Sequence, residues 1–371
     1  MAERFHGIDR HKKHSTISVL NPEGQEVDFV SKCTDLRSYI EQLGPEDAVV
    51  LEASTGTFFW ADLVESRGAS CYVLDPYKFK IIRDSWNKTD KQDARNMAKA
   101  LWVYLVTGEF GIPTVYKPEA EVRELRRLFS QYRLMNRQIV MLKNNIQAIL
   151  TDNGVELGSL EKTMLVSQSE GMRVLRGHEL SSASRECGCR SQMSLQLLWS
   201  LKEQKRLIMK EILLAGESFS SQVKILITLK GITPLSALGF LADVADIERF
   251  RTLRKMNAYL GLVPRVKASG GRSRAGHINR ASRGLTRTLL TQSVCHIANA
   301  SPELRRYYSA LVTVRGAGRA RIALIRKACG IMRRMLLNEE PFRWMKKDNY
   351  ERKLKRYENQ LRKIKEEKKS A

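Results

Sequence analysis

Residues 48–54 read Ala-Val-Val-Leu-Glu-Ala-Ser, an unbroken apolar run that ends in a carboxylate at Glu52. Such a run is the pattern of a strand buried on both faces, and it predicts a sheet with helices packed against it. The flanks agree. Upstream, His6–Leu20 (HGIDRHKKHSTISVL) alternates near its end at Ile17 and Val19, Glu26–Val30 forms a short second strand, and Asp35–Leu43 has helical spacing. Downstream, Ser54 and Thr55 are caps for a helix carrying Phe59, Leu63 and Val64 on one side, and Cys71–Leu74 is a further strand. Thr89 to Thr107 is helical, and Gly108, Gly111 and Pro113 end it. The first hundred residues are therefore read as an α/β domain.

Its acids are unevenly placed. Asp9 lies on the first strand, Glu52 closes the apolar run, and Asp90 and Asp93 stand three apart on one helix face in TDKQDARNMA. A carboxylate at the end of a buried strand is costly unless a cation compensates it, and hard divalent ions take such oxygen ligands. Two of them ~4 Å apart clamp a phosphodiester during in-line displacement. Taken singly, each reads more readily as ordinary than as catalytic, Asp90 as a helix cap and Asp9 as a strand-edge charge; their order raises the joint reading.

Beyond the α/β domain, Val122, Leu125, Phe129, Tyr132, Ile139, Leu142, Ile146 and Ile149 recur at spacings near three and four, with Asn136 at the skipped seam position. This predicts a long, coiled-coil-like helix, with Asn136 as a register-setting dimer contact. Residues 152–192 are rich in Gly and Ser, and a second helix is expected from about Ser194 to Leu214. Residues 225–245, ILITLKGITPLSALGFLADVA, carry an L-x-G-I-x-x-x-x-A core resembling a helix-hairpin-helix, whose turn grips a DNA phosphate through backbone amides. Helices follow YLGLVPRVKASGGRSRAGHINR to about Leu337, and the tail from Pro341 is a charged helix with too few apolar positions for a core of its own. The bounds are 1–116 for the α/β domain, 117–216 for the helical hairpin or coiled-coil linker, 217–338 for a third domain, and 339–371 for the tail.

The 371 residues carry 64 Lys and Arg against 40 Asp and Glu, a net charge of +24. Residues 249–337 hold 20 of the cations and one acid, Glu303, whereas residues 1–248 are balanced. A concentrated, Arg-rich block is the footprint of a polyanion, most plainly nucleic acid. No window approaches the ~18 apolar residues of a membrane helix, and MAERFHGIDR lacks a secretory apolar core, so a soluble cytoplasmic, nucleoid-associated protein is expected. The six cysteines are scattered and read as reduced thiols, Cys295 and Cys329 among them as core.

GIDRHKKHS, VVLEAS and DPYKFKIIRDSWNKTDKQDARNMA, in this order, resemble the RuvC-like, RNase H-fold domain of the DEDD transposases, the insertion-sequence one-hundred-and-ten family of bridge recombinases. The resemblance implies an RNase H-like (RuvC-like) N-terminal domain, with the tetrad on Asp9, Glu52, Asp90 and Asp93 and Asp9 and Glu52 on neighbouring strands. The implied cofactor is Mg²⁺ or Mn²⁺. LKGITPLSALGFLADVADIERF and YLGLVPRVKASGGRSRAGHI resemble the family's mainly α transposase domain, which implies Ser269 as nucleophile. Two glycines, Gly270 and Gly271, leave backbone room for a phosphate, and Arg265, Lys267, Arg272 and Arg274 can neutralise it, with Arg280, Arg283 and Arg287 as further contacts. By composition alone Ser269 is an ordinary turn serine, and Ser273 is its nearest rival. The chain departs from the family at Ile278–Arg287 (INRASRGLTR), where the usual Gly-Asn is missing.

The implied activity is insertion and excision of a mobile element through a phosphoserine intermediate at a composite metal and serine site. The implied partners are donor and target DNA, a structured guide RNA and further copies of the chain, as a dimer or tetramer. The alternatives are a Mg²⁺-dependent junction-resolving nuclease without a serine nucleophile, a non-catalytic nucleic-acid-binding protein, and an inversion recombinase of the pilin-gene type with the same residues.

Overall fold

The structure, a computed structural model, describes residues 2–82, 89–108, 111–154, 158, 185–269, 272–278 and 282–369. The chain divides into two compact units, Met1–Lys117 and Pro118–Ala371.

The first unit is built on a five-stranded mixed sheet of β1 (Arg4–Arg10), β2 (Ser15–Leu20), β3 (Glu26–Cys33), β4 (Asp47–Glu52) and β5 (Ser70–Leu74), in the order β3-β2-β1-β4-β5. β1 is antiparallel to β2 and parallel to β4, and β4 is parallel to β5. The stretch His6–Leu20 is thus two strands, reversed at His11–His14, where the His11 N–H donates to the His14 carbonyl at 3.0 Å. β4 is buried from Asp47 to Leu51, as its apolar run requires.

Helix α1 (Leu36–Glu41) is capped by the Asp35 side chain. α2 (Thr57–Glu65) starts after Gly56, whose φ of 82° supplies the left-handed residue there, so the cap is neither Ser54 nor Thr55. Its inward residues are Thr57, Ala61 and Val64, and Phe59 faces solvent. Of the expected stripe of Phe59, Leu63 and Val64, Val64 is buried and Leu63 packs against the core, whereas Phe59 is exposed. α3 spans Pro76–Ile82, and α4 (Asp90–Trp102) is capped by Thr89 and runs through a π-helical turn, Val103–Thr107, to Gly108.

In the second unit α5 (Ala120–Asp152) pairs with α6 (Arg185–Ala215). Ile139, Ile146 and Ile149 meet Leu195 and Leu198 in a small core toward one end of the pair. At the other end Leu125, Phe129 and Tyr132 join Ile212 and Leu213 in the unit's main core. The apolar seam is therefore satisfied within the chain, and Asn136 donates to the Tyr132 carbonyl of its own helix at 2.9 Å.

The main core is assembled from α7 (Ser220–Leu226), α8 (Pro234–Val244), α9 (Leu253–Tyr259), α10 (Leu285–Gln292), α11 (Val294–Ala298) and α12 (Pro302–Leu337, broken at Gly316). A two-stranded hairpin, β6 (Pro264–Ser269) and β7 (Arg272–Ile278), interrupts this helical unit. The tail helix α13 (Lys347–Lys369) buries Tyr357, Leu361 and Ile364 in the same core, so it borrows the core it cannot build. Glu358 pairs with Lys224 and Glu367 with Lys210 along its flank. Cys329 is buried as expected, but Cys295 is exposed, because α11 buries the face of Val294, Ile297 and Ala298 and Cys295 lies on the other side.

Candidate functional site

Both ends of the central strands carry acids, Asp47 buried and Asp9 partly so, and their surroundings differ. At the start of β4, Asp47 is 1% exposed and accepts from His6 Nε2 at 2.9 Å, Arg4 Nε at 2.7 Å and the Gly44 N–H at 2.7 Å. Burial would raise its pKa, but these donors hold it below the ordinary carboxylate value. Asp47 is a satisfied structural carboxylate.

At the opposite end stands Asp9, the penultimate residue of β1. Burial raises its pKa, His11 opposes the rise, and the nearby charges of Asp93 and Asp90 add to it. The His11 Nε2 lies 3.2 Å from Asp9 Oδ2 and 3.4 Å from Asp90 Oδ2. One ligand atom from each of Asp9, His11 and Asp90 lies within 4.8 Å of the other two. Asp93, one turn further along α4, is 8% exposed and turned inward.

Local sequence explains this convergence. An ideal Cβ on Gly7 would sit 2.2 Å from the Ala94 carbonyl oxygen, so only glycine lets α4 lie flush on β1. Thr89 fixes the helix start by accepting from the Gln92 N–H, which sets Asp90 and Asp93 in the first turn. Glu52 ends β4, and the pairing of Ile8 with Leu51 puts Asp9 and Glu52 one step further along adjacent parallel strands. Thr57 Oγ1 donates to the Glu52 carbonyl at 3.0 Å, and Arg10 Nη2 donates to Ser54 Oγ at 2.9 Å, tying down the loop that leaves β4.

His11 is the residue that sequence reading missed. Its signal was the D-x-H spacing in GIDRHKKHS, visible only once a strand reversal is placed after Arg10. A donor set of carboxylate oxygens and one imidazole, with a raised acid at its centre, fits a divalent cation.

In the second unit, β6 carries the backbone of Arg265, Lys267 and Ser269, and β7 that of Arg272 and Arg274. The register pairs Lys267 with Arg274 and Ser269 with Arg272. Gly270, Gly271 and Arg280 lie outside the described residues. The hairpin springs from a braced base. Gly261, at φ 65°, leaves a Cβ position only 2.2 Å from Ser282 Oγ, and Arg287 Nη1 donates to the Gly261 carbonyl at 2.7 Å. Arg283 Nε donates to the Tyr259 hydroxyl at 3.2 Å. Asp243, 3% exposed, accepts from the Thr286 N–H and hydroxyl at 2.8 Å each, although burial still raises its pKa.

A mixed-sheet unit with an acidic cluster at one strand end, followed by a largely helical basic unit, is consistent with a nucleic-acid-processing enzyme of the DEDD type. Residues 6–153 match the family model described as "Transposase" of the DEDD insertion-sequence type, and residues 223–309 match "Transposase IS116/IS110/IS902 family". A protein of Pseudomonas aeruginosa described as "Probable family 20 transposase" is 24% identical over 344 residues, covering 92% of this chain and 95% of that protein. The "Transposase for insertion sequence element IS1111A" of Coxiella burnetii is 24% identical over 306 residues, 80% of this chain and 79% of its own length. The chain belongs to the IS110 family of DEDD-type insertion-sequence transposases, and it is a DNA transposase or recombinase acting on DNA.

Proposed function

We propose that the chain inserts and excises a mobile element under the direction of a structured guide RNA, through a phosphoserine intermediate. The observation that carries this reading furthest is the convergence of Asp9 and Asp90 on His11, with the charge of Asp93 close enough to raise the Asp9 pKa. The strand order of the first unit supports an RNase H-like, RuvC-like assignment. Asp9, Glu52, Asp90 and Asp93 are the residues that would hold Mg²⁺ or Mn²⁺. Such an ion, when bound, supplies charge neutralisation at a phosphodiester.

The chain's own residues then act as follows. The Ser269 oxygen attacks the scissile phosphorus, its proton leaves to a base, and the displaced deoxyribose oxygen departs with the broken bond's electrons. Lys267, Arg272 and Arg274 hold the phosphate, and Arg265, Arg280, Arg283 and Arg287 grip the neighbouring backbone. A protein that delegates sequence reading to base pairing needs backbone contacts more than base-edge readers, which suits an Arg-rich block. Several copies serve one exchange, because two duplexes present four strands.

The test of guidance is to purify the protein from cells carrying its element and sequence any RNA that accompanies it. RNA encoded beside its own gene is the expected result, and RNA-free protein with full recombination activity would refute guidance. Cleavage without any protein–DNA adduct would favour the junction-resolving nuclease.

A further inference from the structure

A cavity of about 480 Å³ opens in the second unit between the turn that follows α7 and the start of α13. Its lining includes Lys230, Lys346, Arg352, Lys353 and Arg356, and among the described residues it contains no Asp or Glu. Like charges gathered around one cavity repel unless an anion joins them. The acids Asp348, Glu351 and Glu358 of α13 are not part of the lining, and Glu358 pairs with Lys224 at 3.0 Å.

The site is braced rather than a loose surface of lysines. Lys353 Nζ donates to the carbonyls of Ile227, Leu229 and Ile232 at 2.8, 3.0 and 3.1 Å, so the tail helix holds the turn in shape. Gly231 has φ 94°, and a Cβ there would meet Ile297 at 2.8 Å, so this turn is also pressed onto α11. The Phe342 N–H donates to Thr228 Oγ1 at 2.8 Å and fixes the approach of the tail. Burial and the neighbouring charge of Lys230 pull the Lys353 pKa down to about 8. At the rim stands Trp344, 44% exposed, with the Arg343 guanidinium 5.8 Å from its ring centroid, so a cation and an aromatic face meet there.

We propose that this cavity binds the phosphodiester backbone of a nucleic acid, with Lys346, Arg352 and Arg356 as phosphate contacts and Trp344 as a stacking platform for an unpaired base. A fixed cationic concavity edged by an exposed aromatic ring is the combination that single-stranded nucleic acid recognises. The site makes the tail helix part of the binding surface. It rests on the chain's being a DNA transposase, and it does not depend on the serine or metal chemistry.

The experiment uses the full chain and three fluorescent probes: duplex DNA, single-stranded DNA and single-stranded RNA of one sequence. Binding is followed by anisotropy between about 50 and 200 mM salt. For the Lys346→Gln/Arg352→Gln/Arg356→Gln variant, with an unchanged melting temperature, the slope of log K against log salt should fall by about 2 to 3 on at least one probe. Trp344→Ala should weaken the single-stranded probes more than the duplex. Loss on DNA alone identifies DNA as the occupant, and loss on RNA alone identifies RNA. An unchanged slope on all three probes overturns the proposal. Arg356→Gln alone should lower the slope by about 1, which keeps the test open if the triple variant unfolds. The covalent-adduct assay, run in parallel on the wild-type protein, reports separately on the transposase reading.

Discussion

Gly7 faces the Ala94 carbonyl at a distance where no other residue fits: a Cβ would stand 2.2 Å from that oxygen and 2.4 Å from the Ala98 nitrogen. Because both obstacles are backbone, a substitution moves the helix rather than a side chain. Gly7→Ala should destabilise the first unit by about 2 kcal/mol or more and draw Asp90 and Asp93 away from Asp9. Thermal melting and recombination assays check this, and an active variant of wild-type stability would show that the close approach is not needed.

Asp9 has a raised pKa, so the folded state holds its proton more tightly than the unfolded chain does. Its contribution to stability is greatest below the ordinary carboxylate pKa of about 4 and is lost as pH rises through the higher folded value. At neutral pH without divalent ions, Asp9→Asn should therefore melt at a higher temperature than the wild type while losing activity. Adding Mg²⁺ or Mn²⁺ should raise the wild-type melting temperature and leave the variant's nearly unchanged. Equal responses of both proteins would remove Asp9 from the metal site.

His11 lies between Asp9 and Asp90 and offers the cluster's one nitrogen. Imidazole suits transition metals better than Mg²⁺. His11→Ala should weaken Mn²⁺ binding, read by calorimetry, more than Mg²⁺ binding. Equal loss for both ions would mean that His11 positions the acids without reaching the metal.

The tail contributes to the core. Tyr357 is fully buried, so Tyr357→Ala should cost roughly 3 kcal/mol or more, in the range of large-to-small core changes. Glu358→Gln breaks only an exposed pair with Lys224 and should cost under about 1 kcal/mol. Denaturant unfolding distinguishes the two, and similar small losses would mean that the tail is dispensable for folding.

The α/β pattern, the long helix and the placement of Asp9, Glu52, Asp90 and Asp93 were legible because each rests on local periodicity or on a residue at the end of an apolar run. Three things were not. The reversal at His11–His14 carries no Gly, Pro or Asn, so the first two strands merged and His11 went unnoticed. The satisfied role of Asp47 depends on partners about forty residues away, His6 and Arg4, which no local spacing reveals. The tail helix looked homeless because its apolar residues find their core only across the fold, in the cluster that α6 also joins.

The most direct test is to incubate the protein with element-end DNA and a divalent ion, denature it, and look for protein joined covalently to a DNA strand. Wild-type protein and Ser273→Ala should form the adduct, and Ser269→Ala should not. An undiminished adduct from Ser269→Ala, or DNA cleavage by wild-type protein with no adduct at all, would contradict the phosphoserine mechanism.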